Sequence, residues 1–117
     1  MTQSITIYHN PACGTSRKTL ALIEDAGHTP KVVEYLKVGW SVAQLKGLLA
    51  KMSARPTDIL RVRGTPAEAL GLTAEGVTDE AILAAMAEHP GLVERPIVVS
   101  PKGARLCRPQ EQVLAIL

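Results

Sequence analysis

The sequence predicts an α/β fold, a mixed four-stranded sheet whose βαβ and ββα halves are separated by a helical insertion. Three observations predict it: strand-like and helix-like periods alternate over residues 5–36, the stretch 41–90 carries helical patterning without a strand, and the end returns to a hairpin and a last apolar helix.

Taken in order, Ile5 and Ile7 alternate with Thr6 and Tyr8, the period of a short strand that ends at His9-Asn10-Pro11. After that turn Ser16 is placed to cap a helix in which Leu20, Ile23 and Ala26 share a face, with Gly27 just past its end. Lys31 to Leu36 is a second strand, so the two strands should be parallel with a right-handed crossover. Ser41 with Gln44 forms a capping box ahead of Val42, Leu45, Leu48, Leu49 and Met52. Thr65-Pro66 with Glu68 forms a second one, ended by Gly71, and Thr78 opens a helix carrying Ile82, Leu83 and Met86 that closes at His89-Pro90. Pro96 to Ser100, the turn Pro101-Lys102-Gly103 and Ala104 to Cys107 read as a β-hairpin. Pro109 then takes the first position of a helix with Val113, Leu114 and Leu117. This order is the thioredoxin-like arrangement with a helical insertion over 41–90. No linker, repeat or low-complexity tract interrupts it, so residues 1–117 read as one domain.

Composition narrows the function. Phe is absent and aromatics are 3% of the chain, so the core must be aliphatic. A net charge of +2 is too small to indicate a nucleic acid or an anionic membrane as partner. No apolar stretch approaches the roughly 20 residues of a membrane-spanning helix. The opening Met1-Thr2-Gln3-Ser4 shows no signal peptide, and with only two cysteines the expectation is a cytoplasmic protein with reduced thiols.

The first loop carries the chemistry. Cys13 follows a strand and precedes a helix, where unpaired N–H groups and the helix dipole favour an anion such as a thiolate. His9 and Arg17 are placed to add positive charge, and such surroundings lower a cysteine pKa from about 8.5 into the range of roughly 3.5–7.5. The sequence Cys13-Gly14-Thr15-Ser16 puts a hydroxyl where a dithiol oxidoreductase has its second thiol, so no local disulfide can close. Only Cys107 could serve as an internal resolving thiol, and its strand position favours an inert, packed side chain. A phosphatase-type Cys-x5-Arg cradle is excluded because Thr19 stands where its arginine would be. His9, His28 and His89 show no ligand spacing, so no metal site is expected. His28 and His89 read as surface or capping residues.

The run His9-Asn10-Pro11-Ala12-Cys13-Gly14-Thr15-Ser16-Arg17 closely resembles the signature of the glutaredoxin-coupled bacterial arsenate reductases. The resemblance continues through Ile59-Leu60-Arg61, Leu70-Gly71-Leu72, Glu94-Arg95-Pro96-Ile97-Val98-Val99 and Arg105-Leu106-Cys107-Arg108-Pro109. It implies Cys13 as the nucleophile, Arg61, Arg95 and Arg108 around the oxyanion with the Gly14-Thr15 loop, and His9 favouring the thiolate. It also implies a cis peptide at Pro96, and a Cys107 that the chemistry does not need. Arsenate would be the substrate, glutathione the co-substrate and glutaredoxin the protein partner, with no bound cofactor; a monomer is the expectation, although the sequence does not reveal the oligomeric state. Some relatives carry an aromatic residue where Ala67 stands, and Arg63 adds a charge near Arg61. Two rival readings share the fold: a redox-responsive transcription regulator, which usually has Cys-x-x-Cys in this loop, and a thiol oxidoreductase acting on another substrate.

Overall fold

Ile5 and Ile7 are both buried, and their alternation with less buried Thr6 and Tyr8 produces the expected strand, β1 (Thr6–Tyr8). The computed structural model describes residues 4–117; Met1-Thr2-Gln3, on which the reading of the chain's opening partly rests, lie outside the described residues. Two compact units are present, one formed by the residues up to Val38 together with Arg95–Leu117, the other by Gly39–Glu94. Nothing resembling a linker marks this division in the sequence.

The first unit holds the sheet, in the order β2-β1-β3-β4. β2 (Lys31–Val33) runs parallel to β1, while β3 (Ile97–Ser100) pairs antiparallel with β1 and with β4 (Gly103–Leu106). Tyr8 is opposite Val33 and Ile97, and Ile97 is opposite Leu106. That register gathers the chain leaving β1, β2 and β4 and the chain entering β3 at one end of the sheet. A helix, α1 (Gly14–Asp25), connects the parallel pair and ends at Ala26, followed by Gly27 at φ 90°, where glycine avoids the Cβ clash.

Three boundaries depart from expectation. Ser16 does not cap α1; Cys13 is the N-cap, so the buried stripe is Ser16, Thr19 and Ile23 while Ala26 is exposed. The second strand stops at Val33, and Tyr35–Val38 forms a helical turn, α2, whose Tyr35 is buried. The closing helix is of the 3₁₀ type over Gln110–Ile116, with Pro109 at its N-cap. Three residues per turn align Val113 with Ile116, which are buried, and turn Leu114 to solvent. Ile5, Ile7, Ile23, Val98, Cys107, Val113 and Ile116 form this unit's core, with Leu20, Leu22 and Leu117 packed on it. Each such fully buried aliphatic side chain contributes roughly 1.5–3 kcal/mol.

In the second unit both long helices start as their caps dictate. Ser41 Oγ accepts from Gln44 N–H at 3.0 Å ahead of α3 (Val42–Met52), and Thr78 Oγ1 accepts from Ala81 N–H at 3.1 Å ahead of α4 (Asp79–Glu88). His89 closes α4. Leu45, Leu48 and Leu49 of α3 and Ile82, Leu83 and Met86 of α4 are buried, together with Ile59 and Leu92. The helix expected over Thr65–Gly71 is a succession of turns. Thr65 Oγ1 donates to the Arg61 and Val62 carbonyls and accepts from Ala67 N–H, so the motif caps a single turn, too short to propagate between Gly64 and Gly71. From within the segment read as helical, Leu60 forms a short antiparallel bridge to Val93 just beyond it, flanked by Arg61 N–H to the Leu92 carbonyl and Glu94 N–H to the Ile59 carbonyl.

Candidate active site

The loop between Tyr8 and Gly14 is fixed almost atom by atom. His9 N–H donates to the Val33 carbonyl at 2.8 Å, which ties the loop's start to β2. Asn10 makes an Asx turn, its Oδ1 accepting Ala12 N–H at 3.0 Å while its carbonyl accepts Cys13 N–H at 3.0 Å. Ser16, fully buried in the first turn of α1, accepts Asn10 N–H at 3.1 Å and stands 2.6 Å from His9 Nδ1 through the same hydroxyl. Cys13 is thereby held half-buried at the helix start, where the first-turn N–H groups of Gly14 and Thr15 lack intrahelical acceptors.

The sheet register brings two guanidinium groups to this sulfur. Arg95 precedes β3 by two residues, with a cis peptide to Pro96 as expected for that proline, and Arg108 follows β4 by two residues, with a second cis peptide to Pro109. Arg108 Nη1 lies 3.7 Å from Cys13 Sγ and donates to the Arg95 carbonyl at 3.0 Å, so one side chain braces the other. Burial alone would raise the Cys13 pKa. Hydrogen bonds from the Arg95 side chain, Ser16 N–H and Arg108 outweigh it and hold the thiol at about 7. Cys107 lies at the opposite extreme: it is fully buried in the aliphatic core, which pushes it up to about 12.

Five of the eight expected residues thus converge, and three do not. Cys13, Arg95 and Arg108 meet, with Gly14 and Thr15 supplying the helix start. A Cβ built on Gly14 would meet only Arg17 Nη2, at 3.8 Å, so sterics do not demand glycine there. His9 and Arg17 depart from their expected role as sources of positive charge beside the thiol. His9 is buried, and burial, reinforced by Arg17 and opposed by Glu34, lowers its pKa from the usual value, which favours the neutral ring. Arg17 directs Nη1 to the Pro11 carbonyl at 2.8 Å and braces the loop from outside. Arg61 belongs to the second unit, where Nη1 pairs with Glu94 Oε1 at 2.7 Å with both side chains mostly buried.

Sequence reasoning undervalued Ser16, read as a cap, and passed over Asn10 and Glu94. Asn10-Pro11 is a turn-initiating pair and could have been found; Glu94 gives no local signal because its partner is 33 positions away. Among the described residues, no group of three His, Cys, Asp or Glu side chains could hold a metal ion, and no helix is long and apolar enough to cross a membrane.

A sheet of this topology with one activated cysteine at the start of its first helix defines a thioredoxin-like thiol protein that lacks the second active-site thiol. Within that class the chain belongs to the ArsC family, whose model matches residues 8–116. It is 57% identical over 113 residues to a Synechocystis sp. protein named arsenate reductase ArsI2, covering 97% of this chain and 81% of that one. It is 47% identical over 114 residues to the Escherichia coli K12 arsenate reductase, with the same coverage. The solved structure described as an arsenate reductase from Vibrio cholerae superposes with a TM-score of 0.95 at 45% identity, over the full length of both chains.

Proposed function

We propose that this chain is an arsenate reductase in which the Cys13 thiolate attacks arsenate and external thiols complete the reduction. The observation that carries the reading is the Cys13 thiol, held at about 7 by Arg95, Ser16 N–H and Arg108, in a chain whose close relatives are named for this activity. The sulfur displaces one arsenate oxygen, which leaves as water after taking up protons, and a thiol–arsenate adduct remains. Arg95 and Arg108 offer paired N–H groups that match the charge and shape of an oxyanion, and the Gly14 and Thr15 N–H groups add neutral donors. Glutathione then replaces a second oxygen. A glutaredoxin thiolate takes the glutathione sulfur as a mixed disulfide, the As–S bond breaks with its electron pair left on arsenic, and the pentavalent centre becomes trivalent. Hydrolysis frees arsenite and returns Cys13.

The external thiols are supported by two features. Ser16 stands where a resolving thiol would be, and Cys107 is buried and protonated at neutral pH. The proposal keeps Arg61 as a contributor to oxyanion binding, weaker than Arg95 and Arg108 because Glu94 already engages its guanidinium. It also makes the enzyme a cytoplasmic monomer with no bound cofactor and no nucleic-acid or membrane partner. Arsenate-dependent NADPH oxidation in the presence of glutathione, glutaredoxin and glutathione reductase tests it. Omitting glutathione or glutaredoxin should abolish the signal, and a signal that survives with thioredoxin and thioredoxin reductase alone would refute the glutathione route. Absence of any arsenate dependence would favour a thiol oxidoreductase with another substrate.

A further inference from the structure

The Ser16 hydroxyl links the residues that follow β1 to the first turn of α1. It is completely buried, accepts Asn10 N–H at 3.1 Å and lies 2.6 Å from His9 Nδ1. A hydroxyl that accepts a backbone N–H has its own proton to give, and the ring nitrogen beside it is the acceptor within reach. With the hydroxyl as donor, a neutral imidazole carries its proton on Nε2. Through Asn10 the cross-link continues to Cys13, because the Asn10 carbonyl and Oδ1 hold Cys13 N–H and Ala12 N–H. On the helix side, the backbone N–H of Ser16 itself donates to the Cys13 sulfur.

We propose that Ser16 is a positioning residue for the nucleophile: its hydroxyl locks His9 and Asn10 onto α1, aims the Ser16 N–H at Cys13 Sγ, and is the route by which His9 influences the thiolate. The proposal rests on Cys13 being the nucleophile and assigns His9 a hydrogen-bonding role where a cationic one is the simple alternative. The charged groups acting on His9 fit it. Glu34, leaving β2, favours the charged ring; Arg17 of α1 and burial oppose it and prevail. Losing the hydroxyl strands two buried groups, Asn10 N–H and His9 Nδ1, and the loop must shift to satisfy them.

The test measures the pH midpoint of Cys13 alkylation by iodoacetamide in wild type, Ser16→Ala, His9→Ala and the double variant, all in the Cys107→Ser background, with melting temperature recorded for each. Ser16→Ala should raise the midpoint by about one unit, the size expected when one hydrogen bond to a charged sulfur loses its aim, and so lower the thiolate fraction at pH 7, and kcat/KM with it, up to about fivefold. His9→Ala should raise it as well, and the double variant should go no further than Ser16→Ala, since the two act through one link. A residue that only supports the fold would lower the melting temperature and leave the midpoint in place. A folded Ser16→Ala protein with the wild-type midpoint, or additive shifts in the double variant, overturns the proposal. Should Ser16→Ala not fold, ¹⁵N spectra of the wild-type His9 ring decide: a neutral Nε2–H tautomer at the pH where Cys13 titrates is expected, and an imidazolium that titrates together with Cys13 overturns it. Arsenate reduction by Cys13→Ser would sink the nucleophile assignment alone, because the alkylation midpoints report on Ser16 independently of turnover.

Discussion

Removing Arg108 gives a kinetic signature whose size follows from the geometry. Its Nη1 stands 3.7 Å from Cys13 Sγ on an exposed side chain, so the surrounding medium is close to water. Two unit charges at that separation in water interact by about 1 kcal/mol, and about 1.36 kcal/mol corresponds to one pKa unit. Arg108→Ala should therefore move the Cys13 pKa from about 7 to just below about 8. The sign is that of an acid losing a stabilising cation: the thiolate, present above its pKa, is lost at higher pH than before. At pH 7 the thiolate fraction should fall from about one-half to roughly one-seventh. A more basic sulfur is also a better nucleophile, with a sensitivity of about 0.4–0.5, so the alkylation rate at high pH should rise about twofold. Measuring the iodoacetamide rate from pH 5 to 10 in Cys107→Ser and in Arg108→Ala/Cys107→Ser reads both effects in one curve. A midpoint that stays near 7, or one that rises without a higher plateau, would refute the placement of Arg108 beside the thiolate.

Other consequences are equally direct. Cys107→Ser should retain most of the turnover, and in the native protein Cys107 should resist alkylation up to about pH 9, becoming reactive only on unfolding, since burial holds its pKa near 12. Arg95→Lys and Arg108→Lys should each lower kcat/KM by about tenfold or more, because a lysine cannot offer paired N–H groups and charge-assisted hydrogen bonds contribute roughly 1.5–3 kcal/mol. Arg61→Lys should cost less, and Arg55→Lys, whose pair with Asp79 is exposed, should leave kcat/KM at the wild-type value. Ile23→Ala, at a fully buried position of the first unit's core, should destabilise the protein by about 2–5 kcal/mol in urea unfolding.

The strands and the two capped helices were legible because each carries its own local signal. Ile5 and Ile7 alternate, Ser41 with Gln44 and Thr78 announce helix starts, and Pro101-Lys102-Gly103 turns the hairpin. What failed to show was set by contacts distant in sequence. The Leu60–Val93 bridge and the Arg61–Glu94 pair join residues with no shared periodicity. The 3₁₀ period of the last helix decides between Ile116 and Leu114 for burial, and apolar spacing alone does not separate three residues per turn from 3.6. At the site, the strand-to-helix position of Cys13 and the placing of Arg95 and Arg108 at strand ends could be read directly. The state of His9 could not, since its charge depends on burial that no neighbour in sequence reveals.

The most direct test of the central claim follows arsenic itself. Wild-type protein and Cys13→Ser are incubated with arsenate, glutathione, glutaredoxin, glutathione reductase and NADPH, and trivalent arsenic is quantified by chromatography with mass-spectrometric detection. The account predicts one arsenite formed for each NADPH consumed by the wild-type protein, and none above the enzyme-free background with Cys13→Ser. Arsenite formed at comparable rates by Cys13→Ser would contradict it, since the reduction would then not pass through the sulfur that Arg95, Ser16 and Arg108 hold as a thiolate.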